Sequence, residues 1–129
     1  MKSTTPPETQ IPASVAFADL PHIKTEWMGG IFAGIHTKKD GTHCAVIKLS
    51  VTVKKTWKQA MAIEEGEMPS KAVAALVVAN LEIEAGWYWT SEEYDASYAW
   101  YFYSYGGTDF GFKSAAGGAL SVRLIPLTA

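Results

Sequence analysis

Two rhythms of apolar and polar positions divide this chain. Ile31–His36 and His43–Ser50 are apolar, β-branched runs separated by Lys39-Asp40-Gly41-Thr42. Asp-Gly between such runs signals a hairpin, because the turn positions favour positive φ. Centring the turn there pairs Lys38 with His43 and Ile35 with Val46. In that register Ile31, Ala33, Ile35 and Val46 share one face, and Phe32, Ala45, Ile47 and Leu49 share the other. Both faces are apolar, so the strand pair is expected inside a domain.

A helical rhythm follows. Thr56 with Gln59 three residues later reads as a capping box, in which each side chain satisfies the other's backbone N–H. Trp57, Ala60, Met61 and Glu64 keep helical spacing, and Gly66 is expected to end the helix as a left-handed cap. Pro69-Ser70 starts a second helix, Lys71 to about Glu82. Its Val73, Leu76, Val77, Val78 and Leu81 cover most of the circumference and predict extensive burial. Four short strands are expected at 87–90, 98–103, 108–113 and 119–125, with turns at Asp95-Ala96-Ser97, Gly106-Gly107 and Gly117-Gly118. Residues 1–25 hold four of the six prolines and no periodicity. They read as an extended arm whose Ile11, Val15, Phe17, Leu20 and Ile23 can dock on the domain or on a neighbouring subunit. The order of elements predicts an α+β domain over residues 26–129, with the helices grouped on one side of the sheet.

Composition changes this picture in one region. Twelve of the sixteen aromatic residues fall between Trp87 and Phe112, interleaved with Ser, Gly and Ala and little charge. A core does not need six tyrosines so close together. Rigid aromatic area beside small polar groups suits recognition, because Tyr offers contact area at low entropic cost. If Trp100 and Phe102 point inward, Tyr101 and Tyr103 point outward, joined by Tyr105 at the turn and by Asp109 as a hydrogen-bond acceptor. The candidate partner-binding residues are Tyr94, Tyr98, Tyr101, Tyr103, Tyr105, Asp109, Phe110 and Phe112. Read structurally instead, the same cluster is core or oligomer contact. Trp89 and Trp100 are expected in the core, and Glu92 with Arg123 as an ion pair fixing the closing strand.

Other chemistry is thinly represented. At 129 residues the chain makes one domain. A net charge of −2 with scattered lysines argues against a nucleic-acid partner. The lone Cys44 excludes an intrachain disulfide and a cysteine zinc site, and reads as a buried, inert thiol. His36 and His43 share a hairpin face in the expected register but lack a third ligand. No nucleophile elbow, phosphate loop or HExxH is present, so no catalytic residue, metal or cofactor is assigned and no enzymatic activity is expected. The start is polar and proline-broken, and the longest uncharged apolar run, Ala72–Leu81, is half a bilayer span. Synthesis in the cytoplasm, a soluble chain and no membrane partner are expected.

Several segments in order carry a resemblance. Trp57-Lys58-Gln59-Ala60, Met68-Pro69-Ser70-Lys71, Tyr88-Trp89-Thr90-Ser91-Glu92-Glu93-Tyr94, Tyr98-Ala99-Trp100-Tyr101 and Val122-Arg123 are similar to the motifs of a bacterial and phage family of unassigned function. That family is best known as the C-terminal domain of collagen-like adhesins. The shorter phage and prophage variety has an N-terminal hairpin like Gly29–Ile35. The likeness covers residues 26–126. It departs at Met68, where the family has Leu, and at Ser70-Lys71, where it has Thr-Arg. The resemblance implies a C-type-lectin-like fold without lectin calcium chemistry: an N-terminal hairpin, two helices and short twisted antiparallel strands displaying variable residues. It further implies a phage-encoded, virion- or tail-associated binding protein that contacts a protein or glycan on a host surface, or another virion protein. A homo-oligomer or a larger assembly is expected with it. The alternative is a small soluble inhibitor of a host defence protein.

Overall fold

A computed structural model describes residues 11–129, so the expectation for the first ten residues of the arm lies outside the described residues. The chain is α+β, mainly sheet with two helices. Its strands are β1 (Val15–Ala16), β2 (Glu26–Trp27), β3 (Gly30–Thr37), β4 (His43–Lys55), β5 (Trp87–Glu93), β6 (Tyr98–Tyr103), β7 (Thr108–Phe112) and β8 (Gly117–Thr128). The helices are α1 (Trp57–Met61) and α2 (Lys71–Asn80). The strands form one sheet in the order β2-β3-β4-β8-β5-β6-β7, with β1 added parallel to the end of β8. The last long strand thus returns to the centre, antiparallel to β4 on one side and touching β5 in parallel at Tyr88 and Gly118 on the other.

Alternation along β8 divides the core. Leu120 and Val122 point to one face, where Ala33, Val46, Tyr88, Phe102 and α2 residues Val73, Ala74 and Val77 close over them. Ala119 and Ile125 point to the other. There Ala119 meets Ala60 of α1 with Met68 and Trp89, while Ile125 meets Phe32, Ala45, Ile47 and Val15 of the arm. The two helices therefore lie on opposite faces, which corrects their expected grouping on one side. Sheet parity decides this: α2 packs over Tyr88 and Phe102, whereas α1 packs beneath Trp89, one residue out of phase. Ile11 and Leu20 also pack against the arm-side cluster, while Phe17 and Ile23 stay exposed.

The hairpin register differs from expectation by one residue. Thr37 pairs with His43 and Ile35 with Ala45, because Lys39, Asp40 and Gly41 form a three-residue loop. In that loop Lys38 and Thr42 pair, and only Gly41 takes positive φ. A bulge between Phe32 and Gly34 then shifts the register again. The second shift adds to the first, and a total of two residues restores the expected facing, so Ala33 still shares a face with Val46, and Phe32 with Ala45 and Ile47. Ile35 does not, and sits half-exposed on the arm side. His36 pairs with Cys44 while His43 pairs with Thr37, so the two imidazoles lie on opposite faces and not together as expected.

The helix signals hold at their starts. Thr56 and Gln59 complete the capping box, and Ser70 Oγ accepts from the Val73 N–H at 3.2 Å. The ends differ. α1 stops at Met61, because the chain turns back to bridge Glu67 to Val122 of β8. Gly66 is thus no helix terminator: it has positive φ, and a Cβ there would stand 2.5 Å from the Val122 carbonyl oxygen. α2 is buried on one side only, with Ala72, Ala75 and Ala79 exposed. Gly117-Gly118, expected as a turn, opens β8 instead, and added Cβ atoms there would strike the rings of Trp87 and Tyr88. Glycine is present to admit those rings.

Candidate functional site

The aromatic segment builds one three-stranded ribbon, β5-β6-β7, at the edge of the sheet. Its registers decide which rings meet. Tyr98 faces Phe112, Trp100 faces Phe110 and Phe102 faces Thr108, so these side chains share the α2 face. Tyr101 faces both Trp89 and Asp109, and Tyr103 faces Trp87, so these share the α1 face. The eight residues expected as one surface therefore separate into two surfaces, back to back.

The α1-face surface is a ladder rooted in the core. Trp89 is fully buried, and its indole N–H donates to the Lys55 carbonyl at 2.9 Å. Trp87 stands edge-on to it, with ring centroids 5.0 Å apart. Tyr101 packs on Trp87 at 4.6 Å, Tyr103 on Tyr101 at 5.5 Å, and Tyr105 stacks on Tyr103 at 5.1 Å with the planes 15° apart. Burial falls along this series, and Tyr105 at the tip is 81% exposed. The Tyr101 and Tyr103 hydroxyls lie 3.4 Å apart. That hydrogen bond, with partial burial, pushes the Tyr101 phenol up to about 12. The exposed Asp109 carboxylate lies on the same face, near enough for its charge to add to the shift. Aromatic faces, phenolic hydroxyls and a carboxylate acceptor thus converge on one side.

The α2-face surface is a cluster beyond the helix that covers Phe102. Tyr94 stacks on Phe110 at 4.0 Å with planes 2° apart, and both rings meet Trp100 edge-on. Tyr98 packs on Phe112 at 4.6 Å. Exposure is 51% at Tyr94, 38% at Phe110 and 59% at Phe112. Trp100, expected in the core, is half-buried here, because α2 begins too late to cover it. The Lys71 ammonium instead stands 3.9 Å above its ring, a cation–π contact. Between α2 and the β6–β7 turn runs a cleft of about 350 Å3, lined by Ala75, Val78, Ala79, Phe102, Tyr105 and Thr108 among others.

Glu92 and Arg123 do not form the expected ion pair. Glu92 Oε2 accepts from the Lys71 N–H at 2.7 Å, which tethers the start of α2 to β5. A carboxylate at that position also complements the helix dipole. Arg123 lies on the opposite face of the sheet and donates to the Met28 carbonyl. That carbonyl belongs to a two-residue turn in which Met28 itself has positive φ. Lys113 pairs with Glu93 and donates to the Ala96 carbonyl, which fixes the turn before β6.

The sequence reading missed Trp87 as a ladder residue and Lys71 as the cover of Trp100. Trp87 carried a signal: it has the parity of Trp89, two residues away on the same strand. Lys71 carried none, since its position follows from where α2 lands.

Another cleft, of about 490 Å3, lies between the β3–β4 hairpin and the start of α2. His36, Lys38, Glu67 and Glu92 are among its lining residues. The His43 Nδ1 lies 2.7 Å from the Thr37 hydroxyl, away from that cleft. Burial pushes the Cys44 thiol up, which keeps it protonated. Among the described residues, no three His, Cys, Asp or Glu side chains gather as a metal site. No helix among them is long and apolar enough to cross a membrane. Comparison with protein-family models and with curated proteins finds no match to this chain.

Proposed function

We propose that this chain is a non-enzymatic binding protein that captures a protein or glycan partner on the ladder of Trp87, Tyr101, Tyr103 and Tyr105, with Asp109 accepting hydrogen bonds. The observation that carries the reading is the ladder's gradient of burial. Rings anchored on a buried indole are held in place before a partner arrives, so little entropy is lost on binding. The setting is a phage or prophage, and the role that of a virion or tail component meeting a host surface or another virion protein. That setting rests on the resemblance of residues 26–126. A C-type-lectin-like fold belongs to the same reading. The order of hairpin, two helices and short strands supports it, as does a final strand that returns beside the hairpin.

The test is binding of purified protein to host cells and to glycan arrays. The Tyr101→Ala/Tyr103→Ala/Tyr105→Ala variant is expected to stay folded and to lose at least about tenfold in affinity, the loss usual for a central aromatic anchor. A folded triple variant that binds as before would sink the reading. Recovery of the protein inside infected cells, bound to a host enzyme and absent from particles, would support the defence-inhibitor reading instead.

A further inference from the structure

The two ends of the sheet are unlike. At one end β2 is two residues long and carries Glu26, a short, charged edge of the kind that discourages strand pairing. At the other end β7 runs five residues in unbroken register with β6. Thr108-Asp109-Phe110-Gly111-Phe112 contains no proline, no lysine and no bulge.

The ladder pattern shows which main-chain groups β7 leaves outward. The Tyr103 N–H donates to Gly107 and the Lys113 N–H to Ser97, so the odd-numbered positions bond to β6. The N–H and C=O groups of Thr108, Phe110 and Phe112 point away. Of these, the Phe110 N–H is covered by its neighbour's carboxylate, Asp109 Oδ1, at 2.8 Å. The Phe112 carbonyl already accepts from Ala115. The others have no protein partner among the described residues.

We propose that β7 is the dimer edge of this protein, and that a second copy of the chain pairs with it antiparallel about a two-fold axis through Phe110. A second copy fits this edge because the strand is self-complementary in one register, which three features select. Outward groups must meet outward groups, which restricts the pairing to even-numbered residues opposite even-numbered residues. Centring on Asp109 would set two carboxylates face to face, and centring on Gly111 would leave Thr108 unpaired. Centring on Phe110 pairs Thr108 with Phe112 of the second copy, exchanges two hydrogen bonds between the two Phe110 residues, and places each Asp109 opposite Gly111.

The same register sets Phe110 and Phe112 of both copies side by side on the α2 face. The exposed rings of the two chains then form one aromatic seam. The Asp109 carboxylate acts in the free chain as a removable cover for the edge. In the dimer the Phe110 N–H donates instead to the Phe110 carbonyl of the second copy. Tyr101 and Tyr103 lie on the opposite face and Tyr105 at the β6–β7 turn, so the ladder stays open in both copies. Dimer and ladder share only Asp109, so Thr108 and Phe110 test the dimer apart from what the ladder binds, and the dimer gives a weak ligand two attachment points.

Sedimentation velocity across a wide range of protein concentration tests the proposal. A dimer dissociating at roughly micromolar concentration is expected, since a single strand pair with one aromatic seam is a small interface. Thr108→Pro removes an outward N–H while leaving the β6 bonds and every aromatic ring, and it is expected to weaken the dimer by at least about tenfold. Phe110→Lys does the same by placing a charge on the edge, should the proline variant misfold. Asp109→Ala removes the cover and is expected to tighten the dimer. Phe110→Cys is expected to cross-link identical positions under mild oxidation, because directly paired strand residues fall within disulfide reach. A wild-type chain that stays monomeric throughout overturns the proposal. So does a dimer that neither edge variant weakens, or a monomer whose β7 captures a foreign extended peptide.

Discussion

The two halves of this sheet use hydrophobic residues for different ends. In the β3-β4-β8 half, aliphatic side chains are enclosed on both faces, by α2 on one and by the arm on the other. In the β5-β6-β7 half, only the inner rings of Tyr88, Trp89 and Phe102 are enclosed, and the rest spread outward over two open faces. Only the first half gains its full transfer free energy within the chain. What separates them is the reach of the covering elements. α2 is ten residues long and ends its cover at Phe102, so no element among the described residues layers over β7. Apolar area left open in that way is available to a partner.

The sharpest way to break this contrast is to truncate one residue in each half. Ile47 is fully buried between β3 and β8, so Ile47→Ala is expected to cost about 2–5 kcal/mol through lost transfer energy and the cavity left behind. Phe112 touches Tyr98 and otherwise faces solvent, and Phe112→Ala is expected to cost about 0.5 kcal/mol or less. Urea unfolding at a protein concentration low enough to keep the chain monomeric measures both. Comparable losses at the two positions would mean that the outer rings are structural after all.

A smaller effect probes the joint between the halves. Glu92 on β5 holds the first N–H of α2, the helix that covers the inner rings. Replacing it by alanine removes a charge-assisted hydrogen bond and a favourable dipole contact, with an expected cost of about 1–2 kcal/mol. Glu92→Gln keeps an acceptor and is expected to lose about half as much. Thermal unfolding of the pair separates the two contributions. If Glu92→Ala leaves stability unchanged, the tether is incidental, and packing alone positions α2 over Tyr88 and Phe102.

Local signals in the sequence carried most of the fold, and long-range ones failed in understandable ways. The capping box at Thr56, the cap at Ser70 and the turn around Asp95 each depend on residues within a few positions of one another, and each formed as read. The Asp95 carboxylate accepts from the Ser97 and Tyr98 N–H groups as an Asx turn. The sidedness of the helices depends on which parity of β5 meets which helix, and nothing local encodes that. Gly66 and Gly117 look like turn glycines, but their absent side chains admit a carbonyl from β8 and the ring of Trp87. The aromatic residues of the ribbon were legible by type, while their division into two faces needed the β6–β7 register. Trp100 illustrates the limit: its residue type suggests core, and only the length of α2 leaves it beneath a lysine.

The ladder itself can be tested without a ligand, through its protons. Tyr101 gives up its proton at about 12 in the folded chain, against about 10 for an unperturbed phenol in the unfolded one. Its folded value is raised, so its contribution to stability is complete below pH 10 and is lost as pH rises from 10 through 12. Ultraviolet titration of phenolate is therefore expected to show the Tyr101 step close to the alkaline unfolding transition. The hydrogen bond with Tyr103 is the larger cause of the shift and burial the smaller. Tyr103→Phe removes the first and keeps the second, so the Tyr101 midpoint is expected to fall toward the ordinary value while the rings stay packed. A midpoint that does not move in that variant would show that the two hydroxyls are not coupled in solution. The outer ladder would then be mobile, and it would lose the preorganisation on which its proposed role as a binding surface depends.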